Sequence, residues 1–205
     1  MITTNLETKI LIEPFRRGAN ELYIVSGYAS AAMGFRLFEI LDSPDNPLKL
    51  QLLIGMAGFE GVSINDHKGF QEIYEKYGDR FRCFYYTGNT PVHAKMYSWY
   101  CSGMPLTGFV GSANYTQRGF SSSQQEVMES SDAKDIYEQF KILTEKSVEC
   151  TNPEVENIIN QYVHVHPKKA VSQDFRFGYI NNIKDLEHVQ VSFLSQEDDT
   201  DIPQR

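Results

Sequence analysis

Pro91-Val92-His93-Ala94-Lys95-Met96-Tyr97, followed shortly by Gly111-Ser112-Ala113-Asn114-Tyr115-Thr116, is the stretch whose reading decides this chain. His-x-Lys in an extended segment puts both side chains on one face, because strand residues two apart point the same way. An imidazole attacks phosphorus or donates a proton, and an ammonium beside it holds a phosphate oxygen. A tight Gly111-Ser112 turn after a strand brings backbone N–H groups and the Ser112 hydroxyl to an anion. Asn114 offers amide donors to the same oxygens. The plainer readings are a strand carrying a buried histidine and an exposed lysine, and a turn closed on itself by Asx-type bonds. The two motifs on successive strands outweigh them, because together they supply what a phosphoryl group needs as its oxygens gain charge.

Working outward, β and α patterns alternate. Glu21–Tyr28 (ELYIVSGY) is rich in β-branched and aromatic residues and reads as a buried strand ending in a turn. A helix is expected over Ala31 to Leu41, capped by Ser30. Leu48–Ile54 is a second strand, Asn65 to Tyr77 a helix stopped at Gly78, and Phe81–Tyr86 a third strand. Val92–Tyr100 and Leu106–Val110 read as a hairpin closed by Cys101-Ser102-Gly103-Met104-Pro105. Gln125–Glu129 is a short further strand. Asp132 caps a long amphipathic helix reaching about Val148, and another helix is expected after Pro153. The pattern predicts an α/β sandwich with a central mixed β-sheet flanked by helices. It weakens after about Lys168, and the acidic, unperiodic stretch 196–205 reads as a linker.

Composition sets the outer limits. The 205 residues suit one packed domain, and 41% hydrophobic with 22% charged residues is ordinary globular usage. Twelve Tyr and thirteen Phe argue for a folded core. No apolar run approaches the roughly 20 residues of a membrane helix, and the N-terminus lacks a signal-peptide pattern. Cys83, Cys101 and Cys150 are odd in number and nowhere spaced as C-x-x-C, which points to a reducing cytoplasm rather than a disulfide frame or zinc site. No metal ligands and no cofactor are expected. The Gly55–Gly61 loop lacks the Lys-Ser/Thr of a phosphate loop. Phe81, Phe84, Tyr85 and Tyr86 read as core.

The pairing of His93-x-Lys95 with Gly111-Ser112-x-Asn114 resembles the phospholipase D superfamily, whose signature is H-x-K-x4-D followed by G-S-x-(x)-N. Within it, residues 91–130 look like the catalytic domain of BfiI/NgoFVII-like restriction endonucleases. Two features depart from the pattern. Tyr100 stands where the motif aspartate would be, and the interval to Gly111-Ser112 is longer than usual, an excess the 101–105 loop is expected to absorb. In the endonuclease branch a glutamate on the strand after G-S-x-N takes over the aspartate's work, and Glu126 matches it. The resemblance implies that Glu126 orients His93 through Nδ1, and that His93, Lys95, Ser112, Asn114 and Glu126 are catalytic, with Gly111 and Arg118 at the substrate.

The implied activity is metal-independent cleavage of double-stranded DNA through a phosphohistidine. The superfamily needs two motifs per site, and this chain has one credible copy. His166-Pro-Lys168 repeats the H-x-K spacing, but no Gly-Ser follows it and its proline suits a sheet interior badly. A homodimer pairing two copies of His93 is therefore expected. Residues 1–195 would form the catalytic domain and 196–205 a linker toward a C-terminal DNA-recognition domain. The formal charge of -8 supports that division, because a self-sufficient DNA binder carries a basic surface. Arg16 and Arg17 are candidates for a local positive groove. Rival readings are a lipid phosphodiesterase or phosphatidyltransferase, which needs an apolar groove or anchor, and a catalytically silent dimerisation module.

Overall fold

The computed structural model describes residues 1–121 and 124–160 and the strand pair Ala170–Val171 and Phe177–Gly178. His164, His166, Lys168 and the acidic stretch 196–205 lie outside the described residues. The main sheet is built from β1 (Glu21–Ser26), β2 (Lys49–Ile54), β4 (Phe81–Tyr86), β5 (Lys95–Cys101), β6 (Met104–Gly111), β7 (Met128–Ser131) and β8 (Ser147–Glu149). Their order is β7-β6-β5-β1-β2-β4-β8. β1, β2 and β4 run parallel, whereas β5 lies antiparallel to β1 and β8 antiparallel to β4, so the sheet is mixed as expected. The two-residue β3 (Val62–Ser63) pairs outside this sheet with β9 (Ile159–Asn160).

Both faces of the sheet are covered, which is why β1 and β2 are nearly continuous in apolar residues. Leu22, Ile24, Leu50, Leu52, Tyr97 and Trp99 share one core with α2 (Ala31–Leu41) and α4 (Ile64–Tyr77). Tyr23, Val25, Leu53 and Tyr100 share the other with Phe140 of α6 (Ala133–Thr144). A wide helical stretch, Glu7–Ile12, leads into α1 (Glu13–Arg16), and the Trp99 indole donates to the Ile10 carbonyl at 2.7 Å.

Several boundaries differ from expectation, each for a local reason. Ser30 occupies the N-cap position of α2, but its side chain makes no cap bond and its hydroxyl is buried without a partner. The Ala31 N–H instead donates to Asp66 Oδ1 at 2.9 Å, so α4 caps α2 from outside. α6 ends at Thr144, before Val148, because the chain turns back to pair β8 with β4. Pro153 opens a 3-10 turn over Pro153–Asn157 rather than a helix. The hairpin joining β5 to β6 is tighter than its five-residue candidate: Cys101 pairs with Met104, leaving Ser102 and Gly103 as the turn, both at positive φ (50° and 81°). That is the primed turn that matches strand twist. The register shift between Trp99 and Tyr100, not the loop, takes up extra length.

Candidate active site

The His93-x-Lys95 and Gly111-Ser112-x-Asn114 motifs meet at the end of the sheet where β1 finishes. Lys95, the first residue of β5, pairs with Ser26, the last of β1, and Gly111 closes β6 opposite Met128. His93 precedes β5 rather than lying in it, so the two-residue alternation of a strand does not place it. Backbone bonds do. Gly55 N donates to Ser26 O at 2.8 Å, and Val92 N to Gly55 O at 3.2 Å, stitching the segment before His93 across the top of β1 and β2. Gly27 completes the seat: a Cβ there would lie 2.8 Å from the His93 ring and 3.4 Å from Asn114 Oδ1. A glycine is required where an imidazole and an amide both approach the backbone so closely.

Lys95 is buried and His93 exposed. The Lys95 ammonium stands equidistant from the two ring nitrogens, 3.0 Å from Nδ1 and 2.9 Å from Nε2, and donates to the His93 carbonyl at 3.1 Å. Partial desolvation, then the Lys95 charge, hold His93 below the usual histidine range, with Glu60 pulling the other way. Burial lowers Lys95 as well, against the opposing pull of Glu126. The imidazole is thus biased toward its neutral, nucleophilic form.

Asn114 is oriented unambiguously by its partners. Its Oδ1 accepts from the Tyr28 N–H at 3.2 Å and faces Ser26 Oγ at 3.4 Å, which leaves Nδ2 as the donor end. The fully buried Ser26 hydroxyl donates to Tyr28 O at 2.5 Å and accepts from Tyr115 N at 2.9 Å. The Tyr97 phenol donates to Ala113 O at 2.7 Å. The turn around Asn114 is therefore tied to β1 through Ser26 and to β5 through Tyr97. Behind it, Arg118 is half-buried in the short α5 (Gln117–Phe120), whose Gly119 packs against the Asn114 backbone.

Ser112 and Glu126 form a pair of their own. The Ser112 hydroxyl donates to Glu126 and accepts from Val127 N at 2.9 Å, and Ser112 N donates to Val127 O at 2.9 Å. Glu126 is buried and lies just before β7, not within a strand. Among the described residues no hydrogen bond joins Glu126 to His93, and its charge acts on Lys95. Tyr100 sits at the far end of β5, opposite Glu21 and packed against Tyr23 and Tyr137.

Five further residues shape the site without having been singled out from sequence: Ser26, Gly27, Tyr28, Glu60 and Tyr97. The first three end or follow a buried strand at its carboxyl end, where open α/β sheets place their sites, and that was the available signal. Nothing local marks Glu60. Tyr28 stands edge-on to His93, with ring centroids 5.7 Å apart, and its phenol donates to Glu60 Oε2 at 2.6 Å. Among the described residues, no three His, Cys, Asp or Glu side chains gather as a metal-holding group, and no helix is long and apolar enough to cross a membrane.

A mixed sheet with an H-x-K/G-S-x-N cluster at one strand end defines a phospholipase D-type domain. Residues 4–157 match the family model described as the NgoFVII restriction endonuclease N-terminal PLD domain, and the chain belongs to that family of nuclease domains. Among solved structures it is similar to NucT from Helicobacter pylori, with 15% identity, 72% of this chain and 95% of that chain covered, and a TM-score of 0.48. It is also similar to Nuc from Salmonella typhimurium, a phospholipase D family member, with 10% identity, 63% and 81% coverage and a TM-score of 0.46. No curated protein matches the chain.

Proposed function

We propose that this domain cleaves double-stranded DNA as the nuclease half of a restriction endonuclease, without a metal, by nucleophilic attack of His93. The observation that carries the reading is the convergence of Lys95 Nζ, the Asn114 amide end and the His93 ring on one strand terminus. Neutral His93 attacks the scissile phosphorus and a P–N bond forms as the P–O bond breaks. A second, protonated histidine gives its proton to the departing sugar oxygen. It then takes a proton from water, whose oxygen attacks the phosphohistidine and releases His93. Lys95 and Asn114 Nδ2 stabilise the charge that develops on the non-bridging oxygens. Ser112 and Glu126 brace the G-S turn and balance the charge of Lys95.

The second histidine is His93 of another copy, brought across a two-fold axis. Affinity for DNA comes from elsewhere in the full protein. Of this acidic chain's cations, Arg36, Arg80, Arg82 and Lys141 are each engaged by a carboxylate. Nicking of plasmid DNA in EDTA, with an acid-labile phosphate on the protein after quenching, is the expected result. Strict dependence on a divalent cation would refute the mechanism. Sedimentation should give a dimer; a monomer that still cuts would refute the shared site. Binding to DNA by residues 1–205 should be weak, indifferent to sequence and lost in modest salt.

A further inference from the structure

Three side chains bear on the His93 ring from three different elements. Lys95 comes from the start of β5. Tyr28 follows β1 and stands edge-on to the ring. Glu60 ends α3 (Ala57–Glu60) and reaches the same place through the Tyr28 phenol. Glu126 bears on Lys95 and not directly on the ring, and Asn114 is uncharged. The Lys95 and Glu60 charges oppose each other at His93: the ammonium favours a neutral imidazole and the carboxylate an imidazolium.

We infer that Tyr28 and Glu60 are positioning residues for His93, the carboxylate fixing the phenol and the phenol's ring fixing the imidazole plane. The inference rests on the proposed role of His93. Its chemical sense lies in the two duties that histidine carries. As nucleophile it must be neutral, which Lys95 promotes. As proton donor to the leaving oxygen it must be charged, which Glu60 promotes. A single side chain serving both duties in a two-copy site needs both influences close by, and Lys95 alone would bias each copy toward attack. The half-buried Tyr28 ring also limits the angles at which His93 can swing, since an edge-on contact restricts ring orientation.

The test uses Glu60→Gln and Tyr28→Phe in the full chain, with two readouts. One is the His93 imidazole titration followed by NMR, which needs no catalysis. The other is the pH profile of plasmid cleavage. Removing the Glu60 charge takes away the influence that raises His93, so its titration should move toward acid by about 0.2–0.7 of a pH unit, as for a partly screened charge pair. Both limbs of the bell should slide acidward together, because each copy of His93 loses the same partner. Cleavage should therefore fall on the alkaline side and rise on the acid side. Tyr28→Phe keeps the ring and releases the anchor, and should lower kcat severalfold with a smaller slide. A merely structural role would lower the whole profile without moving it. An unmoved His93 titration in Glu60→Gln would overturn the inference. If the wild-type protein does not cleave DNA, the proposed function fails, while the NMR titration still decides whether Glu60 and Tyr28 govern His93.

Discussion

The two ends of β5 are built on opposite principles. At the Lys95 end, a buried ammonium, a histidine, an asparagine and a serine hydroxyl are held by backbone bonds and by a glycine that leaves them room. At the Tyr100 end, Tyr23, Tyr100, Tyr137 and Phe140 pack as rings 4.5–5.6 Å apart. The first end spends polar groups where few apolar contacts repay them, and the second supplies apolar burial without chemistry. One strand thus carries the proposed chemistry at one terminus and apolar packing at the other. The missing motif aspartate makes sense in that light, because the position it would occupy belongs to the aromatic end.

Changes at each end should accordingly fail in different ways. The largest effect is expected from His93→Ala. The exposed side chain can go with a thermal melt close to wild type, while cleavage falls by on the order of 10⁴-fold or more, as for loss of a nucleophile. Robust cutting by that variant would remove the basis of the site. Tyr100→Asp restores the motif letter at the aromatic end and should do the reverse. Burying a carboxyl among the three remaining rings and deleting the Tyr100 contacts should cost roughly 3–5 kcal/mol in denaturant unfolding, with no gain in cleavage per folded molecule. A rise in activity would show that the two ends communicate.

Asn114→Asp is a finer probe of the polar end. The retained Oδ1 still accepts from Tyr28 N, but the end proposed to donate to the phosphate becomes a negative oxygen. Stability should stay near wild type, and cleavage should drop by about 10²–10³-fold, the usual loss for one oxyanion donor. Equal losses in both would mean that Asn114 only braces the turn. The smallest effect concerns His67, a buried histidine 3.0 Å from the Tyr85 hydroxyl and held below its usual range by desolvation. The unfolded chain then binds more protons than the folded one around and below pH ~6.5, so stability should decline as pH falls through that region. Melting temperatures from pH 7.5 to 5.5 should show the decline, and His67→Gln should flatten it. A slope identical in both proteins would place the acid sensitivity elsewhere.

Much of the frame was legible because it is periodic or punctuated. The buried strands β1, β2 and β4, the helix from Ala31 to Leu41 and the Asp132 cap with its two accepted N–H groups all follow from local pattern and were found where expected. The errors lie where a partner distant in sequence decides. Ser30 looked like a cap, but Asp66 accepts the Ala31 N–H in its place; Glu126 was assigned to a strand, but it precedes β7 and accepts a hydrogen bond from the Ser112 hydroxyl.

The sequence by itself determined the mixed α/β sheet and the family, since the strand pattern and the His93-x-Lys95 and Gly111-Ser112-x-Asn114 motifs are each local. Only the tertiary structure decided that Gly27 makes room for His93, that Ser26 and Tyr97 hold the Asn114 turn, and that Tyr28 and Glu60 stand against the imidazole. These contacts join residues from 16 to 89 positions apart. No period or motif encodes them, because they exist only once β1, β5 and the loop after β2 have been brought to the same edge of the sheet.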